Sequence, residues 1–287
     1  MNLKQALSKA SARLTGHADV EDPKFESEML LRYALNISRS QLFLDQNREL
    51  EPEKENLFEV WVKRRSAGEP VAYIIGSREF FGLDFYVDSR VLIPRPETEL
   101  LVEEAISHAG KRLKNNSSGR ITFADIGTGS GAVAVSVAVN LPPAKIYATD
   151  ISPSALEVAS INCRKHNVTE RVTLLEGDLL NPLPEPVDVL IANLPYVTRV
   201  ELAQMPSARY EPALALDGGE SGLDQIFRFC REIEGKMCPG GCVLLEIGLG
   251  QDKAVTSLLH DLFPFSEILS LVDLAGINRA ISLLLKE

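Results

Sequence analysis

Residues 121–135 read ITFADIGTGSGAVAV. An apolar run rich in β-branched and aromatic residues meets a turn with glycine at 127, 129 and 131, and then an alanine–valine run. That composition predicts a strand at 121–125 followed by a helix over about 131–140. A strand, a glycine turn and a helix in succession form the unit from which parallel sheets with crossover helices are assembled.

The same alternation extends downstream. Apolar, β-branched runs predict strands at 145–149, 172–176, 187–191 and 242–247, and helical spacing predicts helices over about 152–166, 222–237 and 251–262. Upstream lie a helix over about 96–113 and a polar hinge, KNNSSGR (114–120). The stretch FSEILSLVDLAGINRAISLLL (265–285) holds two apolar runs around a glycine–asparagine turn, with no helix between them. It predicts a terminal hairpin, so the sheet should end with one antiparallel strand. The fold class is α/β, a Rossmann-like sheet over 96–287.

Residues 1–70 differ in character. Leu3, Ala6, Leu7, Ala10 and Leu14 share one helical face, Asp22-Pro23 is a helix start, and Ser38-x-x-Gln41 matches a capping box. These features predict a small helical bundle. Between bundle and sheet, residues 71–95 are rich in aromatic and β-branched residues with turns at Gly82 and Asp88-Ser89, which predicts a β-hairpin linker.

Composition narrows the class. The chain has 287 residues, 45% of them hydrophobic, with a formal net charge of −10 and four cysteines. Four cysteines make no disulfide framework. No apolar run reaches the roughly 20 residues needed to span a bilayer, and the first residues carry no basic-then-apolar leader, so a cytoplasmic protein with no membrane partner is expected. The acidic balance weighs against a nucleic-acid partner, because phosphate binding is driven by basic groups.

The glycine turn lies where the backbone can approach a ligand at the carboxyl end of a strand. Asp150 ends the next strand, where a carboxylate can take both ribose hydroxyls of a nucleoside. Asp178 follows the third strand and could accept a hydrogen bond from an adenine amino group, with Leu179 against the ring. Two cofactors fit this loop. Gly127-x-Gly129-x-x-Ala132 meets the dinucleotide pattern of NAD enzymes. S-adenosylmethionine, held by Asp125, Gly127, Thr128, Gly129, Ser130 and Gly131, fits equally.

The fourth strand ends in Asn193-Leu194-Pro195-Tyr196. The Asn193 side-chain carbonyl and the Leu194 main-chain carbonyl are two acceptors, suited to the two hydrogens of a planar –NH2 group. Pro195 biases Leu194 toward extended backbone, and Tyr196 offers an aromatic wall. Methyl transfer to a planar nitrogen is the chemistry this set suits, with Asn193 also bordering the cofactor.

In this order the motifs are similar to those of the class I S-adenosylmethionine-dependent methyltransferases that modify amide or amino nitrogens. VLIPRPETELLVE (91–103), EPALALDGGESGL (211–223), LLEIGLGQ (244–251) and DLAGINR (273–279) resemble the HemK/PrmC family over nearly the whole chain. The family methylates the glutamine of the Gly-Gly-Gln motif in class I peptide-chain release factors. The resemblance implies S-adenosylmethionine on Gly127–Gly131 and Asp150, its adenine near Asp178-Leu179, and substrate glutamine held by Asn193-Leu194-Pro195-Tyr196. S-adenosylhomocysteine is then the expected product and a monomer is expected; the helical bundle, which carries no catalytic constellation of its own, is the expected docking surface for the release factor. One departure stands out: the family usually reads Asn-Pro-Pro-Tyr, and Leu194 replaces the first proline, as in rRNA adenine dimethylases. An adenine-N6 methyltransferase acting on RNA or DNA is therefore the alternative, followed by an NAD-dependent oxidoreductase and a cofactor-binding regulator without turnover.

Cys238-Pro-Gly-Gly-Cys242 has no Cys or His partners at zinc-site spacing and reads as a turn, so no metal is expected. KRLKNN (111–116) reads as a solvated helix end, and Arg95 either faces the site or pairs with Glu97 or Glu99.

Overall fold

A computed structural model describes residues 1–115 and 119–286. The centre of the polar hinge, residues 116–118, lies outside the described residues. The chain forms two compact units: Met1–Ser77 with Met205–Tyr210, and Arg78–Gln204 with Glu211–Glu287.

The first unit contains α1 (Leu3–Leu14), α2 (Pro23–Leu35), α3 (Arg39–Leu44), α4 (Pro52–Ser66) and α5 (Val71–Ile75). Asp22 caps α2 by accepting from the N–H groups of Lys24 and Phe25, with Pro23 at the first helical position. Ser38 accepts from the Gln41 N–H, but the Gln41 side chain turns to Asp45, so only half of the expected capping box forms. Leu3, Ala6, Ala10, Leu14, Leu30, Leu31, Phe58 and Val62 close the core. Residues 71–75, expected to start the hairpin, are helical. Pro70 opens the turn, Gly76 ends it in the left-handed conformation, and burial of Ala72, Tyr73 and Ile74 overrides the β propensity of Val71, Tyr73, Ile74 and Ile75. The return segment belongs here: the Tyr210 hydroxyl donates to the Ala67 carbonyl at 2.8 Å.

The second unit opens with a hairpin, β1 (Arg78–Phe80) and β2 (Leu83–Phe85). Its two turn residues, Phe81 and Gly82, both have positive φ, at 51° and 70°. That is the turn geometry whose twist matches the strands. There follow α6 (Glu99–Asn115), β3 (Ile121–Ile126), α7 (Ala132–Asn140), β4 (Ala144–Asp150), α8 (Pro153–Lys165), β5 (Val172–Glu176), β6 (Val187–Ala192) and α9 (Arg199–Gln204). The unit continues with α10 (Asp224–Glu232), β7 (Met237–Glu246), α11 (Asp252–Leu262), β8 (Glu267–Val272) and β9 (Asn278–Leu284).

The seven-stranded sheet has the order β5-β4-β3-β6-β7-β9-β8. β5, β4, β3, β6 and β7 are parallel, and β9 runs antiparallel to both its neighbours. The one antiparallel strand is thus not the edge, as expected from sequence, but sits inside it with β8 outermost. Alternation along β3 separates the two faces. Ile121 and Phe123 pack with α6 and α7, whereas Ala124 and Ile126 pack with Ile226 and Phe229 of α10 and Val255 of α11. β6 is buried at every residue, as a central parallel strand must be.

Two further expectations are corrected. The helix expected over 222–237 stops at Glu232, and the strand expected from 242 begins at Met237. Gly235, with φ 75°, ends the helical path, and the register slips between Val187 and Val189, so Pro239-Gly240-Gly241 form an irregularity within β7 rather than a turn before it. Nor is the KRLKNN segment merely solvated: Arg112 donates to Asp188 at 2.9 Å and to the Gly240 carbonyl at the same distance.

Candidate functional site

Chain order runs outward from β3 through β4 to β5, then crosses to β6 on the other side. The crevice at that reversal, outside the carboxyl ends of the strands, is where open α/β sheets bind ligands. Here it is a cavity of about 540 Å³.

Of the residues named from sequence, Gly127, Gly129, Asp150, Asp178, Leu179, Asn193, Leu194 and Pro195 line it. Asp125, Thr128, Ser130, Gly131 and Tyr196 do not. Thr128 donates its hydroxyl to Asp125 at 2.6 Å, and the Ala134 N–H donates to the same oxygen at 3.1 Å. Asp125 therefore holds the loop to the start of α7 from beneath. A Cβ at Gly131 would stand 3.2 Å from the Ala159 Cβ, so that glycine serves the packing of α7 on α8. Gly129 is the opposite case. At φ 54° a Cβ would meet nothing within 4 Å, so the bare backbone there borders open space in the cavity wall.

Burial raises the Asp125 carboxyl to about 6, against the pull of its Thr128 and Ala134 hydrogen bonds. A folded pKa above the unfolded one means the native state holds the proton more tightly, so this group's contribution weakens as pH rises through about 6. Asp125→Asn removes that dependence. Between pH 5 and 8 its stability relative to wild type should improve by roughly 1 kcal/mol. Chemical denaturation at both pH values measures it, and a constant difference would refute it.

Asp150, at the end of β4, accepts from the N–H of Gly129 at 2.8 Å and of Ser152 at 2.9 Å. Burial pushes its carboxyl up. Asp178 is paired with Arg228 of α10, a cavity residue the sequence did not single out.

Behind the tetrapeptide lies a hydrogen-bonded chain. Asn193 Nδ2 donates to Thr98 Oγ1 at 2.9 Å, and Thr98 Oγ1 donates to Glu246 Oε2 at 2.6 Å. Tyr196 donates its hydroxyl to the other oxygen, Glu246 Oε1, at 3.2 Å. Tyr196 does not line the cavity; its hydroxyl ties the tetrapeptide to the end of β7. Glu246, 2% exposed at the end of β7, is pushed up to about 7 by burial, opposed by the Thr98 and Tyr196 hydroxyls. The Tyr196 phenol is raised by burial and by Glu246, which keeps it a proton donor.

Gln251 fixes the exit of the tetrapeptide. Its Nε2 donates to the carbonyls of Tyr196 and Gly222, both at 3.1 Å, and its Oε1 accepts from the Gly248 N–H. A Cβ at Gly222 would come within 2.4 Å of the Tyr196 carbonyl, so no side chain fits there. Arg95 pairs with neither Glu97 nor Glu99: its Nη2 donates to both oxygens of Glu211 at 2.7 Å. That anchors the segment whose continuation, Pro212 to Ala215, forms part of the cavity wall.

Thr98, Glu246, Gln251 and Glu211 all lie in the flanking segments quoted above, but nothing local marks them as mutual partners. Thr98 and Glu246 are 148 residues apart. Among the described residues, no group of three or more His, Cys, Asp or Glu is placed to hold a metal ion. No helix among them is long and apolar enough to cross a membrane.

Residues 5–76 match the family model of the PrmC N-terminal domain, and residues 107–212 match that of ribosomal protein L11 methyltransferase (PrmA). The chain is 44% identical over 281 residues to the release factor glutamine methyltransferase of Moorella thermoacetica, covering 97% of each chain. To the protein of that name from Koribacter versatilis it is 37% identical, covering 98% of each. Among solved structures it is similar to a methyltransferase from Pyrococcus furiosus, with a TM-score of 0.52 at 17% identity, over 80% of this chain and 98% of that one. This last likeness is one of fold.

Proposed function

Since the chain belongs to the release factor glutamine methyltransferase family, we propose that it transfers a methyl group from S-adenosylmethionine to N5, the side-chain amide nitrogen, of the glutamine in the Gly-Gly-Gln motif of class I peptide-chain release factors. The observation that carries this reading is the orientation of Asn193. With its amide nitrogen engaged by Thr98, its oxygen is left for a substrate N–H.

The cavity suits the cofactor. Its size falls in the range of roughly 300–1,000 Å³ typical of small-molecule sites. Gly127 and Gly129 would let the aminoacyl part approach the backbone, Asp150 would take the ribose hydroxyls, and Asp178 with Leu179 would border the adenine. When bound, S-adenosylmethionine supplies an electrophilic methyl.

The chain's own residues then bind and align. Asn193 Oδ1 and the Leu194 carbonyl accept the two amide hydrogens and turn the nitrogen toward the methyl, and the proton lost from the methylated amide passes to water. An amide is a weak nucleophile, so alignment supplies most of the rate gain. Leu194 in place of proline keeps the accepting carbonyl, and its side chain is buried, which holds the backbone without the ring.

In the same reading the helical unit docks the release factor. It exposes Phe25, Phe43 and Leu44, with the Arg39 guanidinium 5.9 and 5.7 Å from the two ring centres. Leu44→Asp should raise KM for release factor while leaving cofactor affinity alone; an unchanged KM would remove this patch from the docking surface.

The test of the function is a methyl-transfer assay offering purified release factor, a copy with the Gly-Gly-Gln glutamine replaced, and ribosomal RNA. Mass spectrometry should place the methyl on that glutamine and find none on the replaced copy. Methyl on RNA adenine would transfer the assignment to the nucleic-acid alternative.

A further inference from the structure

We propose that Thr98, held by Glu246, locks the Asn193 side-chain amide with its oxygen toward the cavity, and that this lock makes the site select a side-chain amide over a carboxylate. The inference rests on the function proposed above and adds what enforces the choice of substrate group.

The argument is a count of protons. Above about pH 7, where Glu246 is ionised, its carboxylate only accepts, and a hydroxyl has one proton to give. Glu246 receives two hydroxyls, one on each oxygen, from Thr98 and Tyr196. The Thr98 contact of 2.6 Å lies in the range of hydroxyl bonds to an ionised acceptor. Thr98 has therefore spent its proton on Glu246 and can offer Asn193 only a lone pair. Asn193 must meet it with the –NH2 end, which leaves Oδ1 for the ligand.

A lone-pair surface welcomes a group with two N–H donors and repels one with only acceptors. The glutamine side chain is the first kind, and its hydrolysed counterpart, glutamate, the second. Both are nearly the same size and shape, so packing alone cannot separate them. Were Asn193 free to turn over, its –NH2 would receive a carboxylate as readily as its oxygen receives an amide. Thr98 is thus a positioning residue, acting through Asn193, and Glu246 positions Thr98.

The test compares, at about pH 8 where Glu246 is ionised, binding of release factor carrying Gly-Gly-Gln with its Gln→Glu copy, in the presence of S-adenosylhomocysteine. Wild type should prefer the glutamine form by on the order of 10- to 100-fold, since a buried mispaired polar group is rejected that strongly. Thr98→Val keeps the shape but removes the hydroxyl, and should reduce the preference by about fivefold or more, leaving what the Leu194 carbonyl alone enforces, while S-adenosylhomocysteine binding persists; Thr98→Ser should restore it. If the valine variant does not bind S-adenosylhomocysteine, Thr98→Ala, which also lacks the hydroxyl, carries the comparison. A preference undiminished by loss of the hydroxyl overturns the lock. A loss that serine does not restore also overturns it, because the effect would then be one of packing. If wild type fails to methylate the release factor at all, the proposed function falls instead, and the two failures are distinct.

Discussion

Asn193→Ala is expected to lower kcat for methyl transfer to release factor by about 10²–10³-fold, the usual cost of deleting one preorganised hydrogen-bonding group at a reacting centre. Two losses combine. The amide nitrogen of the substrate loses an acceptor that orients it, and Thr98 loses the donor that occupies its oxygen. Cofactor affinity should fall far less, because Asp150 and the glycine loop remain. Single-turnover transfer with saturating S-adenosylmethionine separates these effects. A rate within about tenfold of wild type would mean that Asn193 does not hold the reacting amide.

Asp150→Ala should act on the other half of the reaction. Two hydrogen bonds from ribose hydroxyls to a carboxylate are worth about 1.5–3 kcal/mol each, so S-adenosylmethionine should bind about 10²-fold more weakly or worse. The same substitution frees the N–H of Gly129, which Asp150 now holds at 2.8 Å. Titration calorimetry measures the affinity, and thermal denaturation without cofactor shows whether the loop's release also costs stability. Near-native affinity would place the ribose elsewhere in the cavity.

The frame of the second unit was legible because each strand–turn–helix step is written locally. Residues 121–135 carry apolar alternation, glycine at the turn and small residues in the helix, and neighbouring segments repeat the scheme. The tetrapeptide and the two carboxylates could be named because each sits at the end of a strand or within two residues of it. What stayed hidden is long-range. That Thr98 bridges Asn193 and Glu246, or that Arg95 clasps Glu211, depends on four separate segments meeting beyond the carboxyl ends of β6 and β7. The helical turn at 71–75 was hidden for a different reason: Val71, Ile74 and Ile75 favour strands intrinsically, and only tertiary burial reverses the choice. The insertion of β9 inside the edge strand likewise follows from pairing, which a hairpin signal alone does not specify.

The return of residues 205–210 to the helical unit bears on how this architecture can be exchanged between relatives. A chimera cut once, after Ser77, would graft a foreign bundle onto a chain that still presents Arg209 and Tyr210 to an Ala67 carbonyl no longer its own. Both stretches would have to travel together. Substitutions arising in one are then tolerated only alongside a compatible sequence in the other, so the bundle and this short excursion should vary as a single hereditary unit although more than a hundred residues of chain separate them.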